Sequence, residues 1–278
     1  MRRSKVVGRV SGAMPQVCIT LGAALLGVLL SGCGSSTSAG SGSTQGVTNS
    51  GTGGGSGATQ STNWSGYARS GALAGFRQVS GSWTVPQPDC SGGVTASSAT
   101  WAGIGGLKSG DLTLIQAGTE QDCNSGSPGY YAWWEGYPAA SQDISGSGNY
   151  PVQAGDQITV TISSSLLLLW NISIHDNSAG WTFTTTTPFV AAGESAEWIE
   201  EAPLNISVGS SGGSRQATLA NFGSVSFNAL AANSANPALT ASDSIDMVDT
   251  KGNVVASPSA PGAGGDSFDV CFGSGSCN

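Results

Sequence analysis

The nine residues SAEWIEEAP, positions 195–203, set Glu197, Glu200 and Glu201 around Trp198 in a 278-residue chain of which only 9% is charged. Carboxyls here can do acid–base work, since an unperturbed glutamate titrates near pH ~4.3 and exchanges protons readily in acid. On an extended strand Glu197, Ile199 and Glu201 share one face, while Trp198 and Glu200 share the other. Glutamate is a poor strand former, so this clustering points to a groove with a task. Gln116 raises a second question, because it closes the apolar run LTLIQAGTE. A buried amide must satisfy two donors and an acceptor; taken alone, Gln116 is equally well explained as a strand-end amide bonded to the backbone.

Other chemistries find less support. His175 is the single histidine, in NISIHDNSAG. No G-x-S-x-G pattern accompanies the many serines, and a turn at a strand end accounts for His175 better than a catalytic triad. The segment GIGG follows a strand without opening a helix, so a phosphate loop is unsupported. Cysteine and histidine spacings are not those of a zinc site, and no metal or cofactor is expected.

The elements that must position these residues are short β-rich runs from Asn63 onward, among them NWSGYAR, FRQVSGSWTVP, ATWAGIGG, YYAWWEGYP, DQITVTIS and GWTFTTTT, punctuated by Gly, Asn, Asp and Pro. A dozen or so such runs predict an all-β domain of two stacked antiparallel sheets, a β-sandwich. The run LLLLW, 166–170, reads as one strand of the sandwich core.

Charge is unevenly distributed. Arg2, Arg3, Lys5 and Arg9 precede the apolar run Val17–Leu30, leaving five basic residues for the rest, while all 17 acidic residues follow Thr62; the later part therefore carries 5 − 17 = −12. Such a surface excludes nucleic acid as a partner. Few cations remain when carboxyls protonate, so self-repulsion in acid stays small. Residues 1–33 read as an export signal ending in LSGC, which resembles the lipobox of bacterial lipoproteins with Cys33 as the lipidated residue. Residues 34–62, rich in Gly, Ser and Thr and free of charge, read as a flexible tether spanning roughly 30 Å. This leaves 63–278 as one domain, exported and lipid-anchored at the cell surface or released from it, with the membrane touched only through the anchor and a monomer expected. Cys90, Cys123, Cys271 and Cys277 allow three connectivities. The short CFGSGSC favours Cys271–Cys277, leaving Cys90–Cys123. N-x-S patterns occur at Asn63, Asn171 and Asn205 and are read as incidental in a bacterial protein.

Eight segments occur together in an order that resembles the glutamic peptidase (eqolisin) family: NWSGYA, VSGSWTVP, TWAGIGG, LIQAGTE, YYAWWEGYP, VQAGDQITVTI, AEWIEEAP and LANFGSVSF, covering Asn63 to about Asn228. The resemblance implies a sandwich of the concanavalin A-like lectin/glucanase type and acid hydrolysis of peptide bonds in protein or peptide substrates. By the same likeness Gln116 and Glu201 are the catalytic pair, with Trp101, Trp133 and Glu135 lining the substrate cleft. Gly105, Thr119, Glu120 and Gly136 depart from residues common in the family, which bears on subsites and pH optimum. The catalytic chemistry requires Gln116 and Glu201 to meet in one cleft open to water. Two other readings use the same residues. Trp101, Trp133, Trp134 and Trp198 could stack on sugar rings in a carbohydrate-binding lipoprotein, or Glu135 and Glu201 could act as a glycosidase pair.

Overall fold

The computed structural model describes residues 58–166, 168–206, 214–274 and 277. The export segment and Cys33 lie outside these residues, as does most of the stretch read as a tether. Among these residues seventeen strands run in chain order: β1 (Thr59–Ser61), β2 (Trp64–Ser70), β3 (Gln78–Thr84), β4 (Ala96–Gly105), β5 (Leu114–Asn124), β6 (Ser127–Tyr137), β7 (Gln142–Asp143), β8 (Gln157–Leu166), β9 (Leu169–Asp176), β10 (Thr182–Pro188), β11 (Ser195–Glu201), β12 (Leu204–Ile206), β13 (Ser214–Gln216), β14 (Ser224–Ala232), β15 (Ser244–Val248), β16 (Val254–Pro258) and β17 (Phe268–Phe272).

Two antiparallel layers result. One has the order β10-β9-β8-β3-β14 and the other β2-β11-β4-β5-β6-β7, with β17, β16 and β15 joining them along one edge. The main core lies between the layers. Val79, Trp83, Ile158, Val160, Ile162, Ile172 and Phe227 of the first meet Tyr67, Ala102, Ile104, Ile115, Ala117 and Trp198 of the second. The cause is the period-2 alternation of strands: β3 buries every second residue, and β8 and β9 point Ile158, Val160, Ile162, Ile172 and Ile174 inward while Thr159, Thr161, Asn171 and Ser173 face out. The sandwich expected from the sequence is the architecture observed.

A second apolar cluster covers the opposite face of the second layer, where Trp64, Ala68, Ala99, Trp101, Leu114, Trp133, Ile199 and Ile245 are buried and Leu107, Tyr131 and Tyr137 pack against them. That layer is thus covered on both sides, which explains why all seven residues of β11 are buried.

Two features differ from the sequence reading. LLLLW is not one strand: β8 ends at Leu166, β9 begins at Leu169, and these two residues pair across a hairpin. Leu168 and Leu169 are 58% and 40% exposed, and only Trp170 turns into the core. The pairing of β8 with β9 sets this turn, which an apolar run by itself does not mark. Further, β1 uses the last residues of the predicted tether, pairing in parallel with β15 through Thr59, Gln60 and Ser61. The Cys90–Cys123 and Cys271–Cys277 bridges are both formed, and the first sits in a small buried cluster with Ala96 and Ala220.

Candidate active site

β11 lies between β2 and β4, and β5 lies between β4 and β6. Cross-strand register then sets out the face. Glu197 is opposite Gly103, Gly103 is opposite Gln116, and Gln116 is opposite Glu135, making one row across four strands. The next row runs Ile199, Trp101, Gly118, Trp133. Glu201 follows, opposite Trp64 on β2 and Ala99 on β4. Side chains two apart on a strand share a face, so Gln116, Glu201, Glu135, Trp101 and Trp133 all belong to the outer face of this layer.

Two glycines make this packing possible. A Cβ on Gly103 would lie 2.9 Å from the Trp101 ring and 3.2 Å from Gln116 Cβ, and one on Gly118 would lie 2.7 Å from Trp101 Cβ. Bare backbone at both positions lets the Trp101 indole lie along the sheet toward Glu201.

The Glu201 carboxylate is held at both ends. Asn63 Nδ2 donates to Oε1 at 3.0 Å, and Trp101 Nε1 donates to Oε2 at 2.8 Å. Asn63 is in turn set by Ser61, whose Oγ donates to Asn63 Oδ1 and accepts from the Asn63 backbone N–H. Trp64 packs edge-on against Trp101, with ring centroids 5.1 Å apart. Across the face, Gln116 Nε2 donates to Glu135 Oε2 at 2.7 Å.

Burial raises the Glu201 pKa to about 8. The Trp101 donor opposes the rise, the neighbouring Glu135 charge adds to it, and Trp64 and Asn63 oppose it more weakly, the Trp64 indole from outside hydrogen-bond geometry. Two donors on the two oxygens suit the ionised form, whereas removal from water suits the neutral one. With the site closed, removal from water is the larger effect.

The other two glutamates of β11 have different surroundings. Glu200 points between the layers, where its Oε2 accepts from Thr100 Oγ1 at 2.5 Å and its Oε1 from Gln121 Nε2 at 3.1 Å. Burial raises its pKa to about 7 against the opposing bonds of Thr100, Ser98 and Gln121. Glu197 shares the face of Glu201. Burial pushes its pKa well up, Ser195 opposes this, the Asp111 charge adds to it, and the Gly105 amide opposes it. Neither Ser195 nor Gly105 reaches Glu197 in hydrogen-bond geometry.

The structure brings Gln116, Glu201, Glu135, Trp101 and Trp133 onto one surface but leaves it closed. Gln116 and Glu201 are each 0% exposed, which corrects the expectation of a pair lining an open cleft. They are not in the inter-sheet core; they lie on the outer face, which also bears the cluster of Trp64, Trp101 and Trp133. Sequence reasoning missed Asn63, seen there only as an N-x-S pattern. Its side chain is buried on Glu201 and inaccessible to a glycan. Its place in NWSGYA, the first of the eight ordered segments, was the available signal.

The tryptophans expected to stack on sugar rings are not available for it: Trp101, Trp133 and Trp198 are 0%, 3% and 0% exposed, and Trp134 packs against the inter-sheet cluster. Among the described residues no group of three or more His, Cys, Asp or Glu is placed to hold a metal ion.

Solved structures share this architecture. Scytalido-glutamic peptidase with a transition-state analogue inhibitor superposes with a TM-score of 0.62 at 22% identity, covering 76% of this chain and 98% of that one. SCP-B, a member of the eqolisin family of peptidases in complex with the tripeptide Ala-Ile-His, gives 0.60 at 19% identity over 76% and 98%. Aspergilloglutamic peptidase from Aspergillus niger gives 0.51 at 25% identity over 64% and 99%. Comparison with the sequences of curated proteins finds no match. The model of the Peptidase A4 family matches residues 62–268, a span that holds every strand from β2 to β16 and both members of the Gln116/Glu201 pair, and the chain belongs to that family.

Proposed function

We propose that this acid endopeptidase hydrolyses peptide bonds with Glu201 as general base and then general acid, and with Gln116 as donor to the oxyanion. The observation that carries the reading is the clamp on Glu201, whose two oxygens take hydrogen bonds from Asn63 and Trp101 on the face that also bears Gln116. Both donors favour a carboxylate, and a carboxylate is what removes a proton from water.

The closed state works against that ionisation, since burial is the largest cause of the raised Glu201 pKa. Admitting a peptide and its attacking water relieves that burial, while the Asn63 and Trp101 donors stay in place. The Glu201 pKa then falls toward the ordinary carboxylate range. In the open site ionised Glu201 takes a proton from a water attacking the scissile carbonyl. The Gln116 side-chain N–H groups, which do not titrate, stabilise the tetrahedral oxyanion, and protonated Glu201 passes its proton to the leaving amine. One such donor is worth about 3 kcal/mol of barrier. No covalent intermediate and no cofactor enters the scheme.

Glu201→Gln and Gln116→Ala are each expected to leave a folded protein and to lower kcat/KM on a protein substrate at acid pH by at least ~100-fold. Wild-type-like activity in either variant would reassign the site.

The order of basic start, apolar run, LSGC and uncharged tether supports export and lipid anchoring through Cys33, with residues 63–278 as the catalytic domain on the outer surface of a bacterial cell and a monomer as the working unit. Labelling with a radioactive fatty acid tests the anchor, and Cys33→Ala is expected to abolish incorporation.

A further inference from the structure

The hydrogen bond between Gln116 and Glu135 does more than place a carboxyl near the substrate. Gln116 and Glu135 face each other in register across β5 and β6, both are buried, and Gln116 Nε2 donates to Glu135 Oε2 at 2.7 Å. A side-chain amide has two orientations related by a half-turn, which exchange its donor and acceptor ends, and the hydrogen-bond partners select between them. A carboxylate accepts and does not donate, so Glu135 selects the orientation with NH₂ toward β6 and the carbonyl oxygen turned away.

From this geometry we infer that Glu135 is a positioning residue for the reaction: it locks the Gln116 amide in the orientation that presents N–H to the oxyanion. The inference rests on the roles proposed above for Gln116 and Glu201.

The test compares wild type, Glu135→Gln and Glu135→Leu for kcat, KM and the pH profile of kcat/KM on a synthetic peptide, with thermal unfolding at the same pH. Glutamine can still accept from Gln116 but carries no charge; leucine can do neither. The leucine variant is expected to lose ~10- to 100-fold in kcat, the range for a hydrogen bond to a charged acceptor, with KM within about threefold of wild type. The glutamine variant is expected to recover most of kcat. Equal losses in both variants, a loss confined to KM, or wild-type kcat in the leucine variant would each overturn the inference. If Glu201→Gln abolishes activity while Glu135→Leu does not, only this inference fails. If Glu201→Gln stays active, the functional reading fails first.

Discussion

Glu200 offers a direct measure of how burial ties this fold to acid. It is 0% exposed between the layers, and its pKa is raised from 4.5 to about 7, chiefly by burial. The folded protein therefore keeps this proton up to about pH 7, whereas the unfolded chain releases it near 4.5. Below pH ~4.5 both states are protonated and the stabilising contribution is complete. Between ~4.5 and ~7 the unfolded state binds fewer protons, so stability falls by up to ~1.4 kcal/mol per pH unit. The total loss from this carboxyl is about 3 kcal/mol, and no exposure to water screens it. Glu200→Gln removes the titration while keeping a group that can bond Thr100 and Gln121. Any fixed cost of the amide is independent of pH and cancels when two pH values are compared. The assay is urea unfolding followed by tryptophan fluorescence between pH 4 and 7.5, with disulfides intact. Both proteins carry Glu201→Gln, so that unfolded chains are not digested. The stability of the Glu200→Gln protein minus that of its parent is expected to rise by about 3 kcal/mol from pH 4 to 7.5. A difference that stays constant over this range would refute the reasoning.

Trp101→Phe removes the indole donor from Glu201 Oε2 while keeping most of the ring. It is expected to cost ~10- to 100-fold in kcat/KM, with the acid limb of the profile moving to higher pH because the carboxylate loses a donor; an unchanged limb would show that the bond is idle. The Cys90–Cys123 bridge closes a loop across 33 residues. Replacing both cysteines by serine is expected to lower unfolding stability by about 4 kcal/mol on the chain-entropy relation, measured by denaturant at acid pH. A cost near zero would mean that the Ala96 and Ala220 cluster holds this end of the sandwich without the bridge.

The sequence alone carried the strand alternation. Inward Ile and Val against outward Thr, Ser and Asn on β8 and β9 specify a half-buried strand because successive side chains point to opposite faces. The same rule put Glu197 and Glu201 on one face and Glu200 on the other before any contact was known. Ordered local motifs carried the family, and through it the roles proposed for Gln116 and Glu201. Only the tertiary structure decided which groups meet those carboxyls. Asn63 reaches Glu201 across 138 positions, and Thr100 and Gln121 reach Glu200 across 100 and 79. Such pairings follow from strand order and register, which no local stretch encodes. The hairpin that divides LLLLW was hidden for the same reason. An apolar residue reads alike in a core, at a turn or over a catalytic surface, and the strands packed around it determine which of these it becomes.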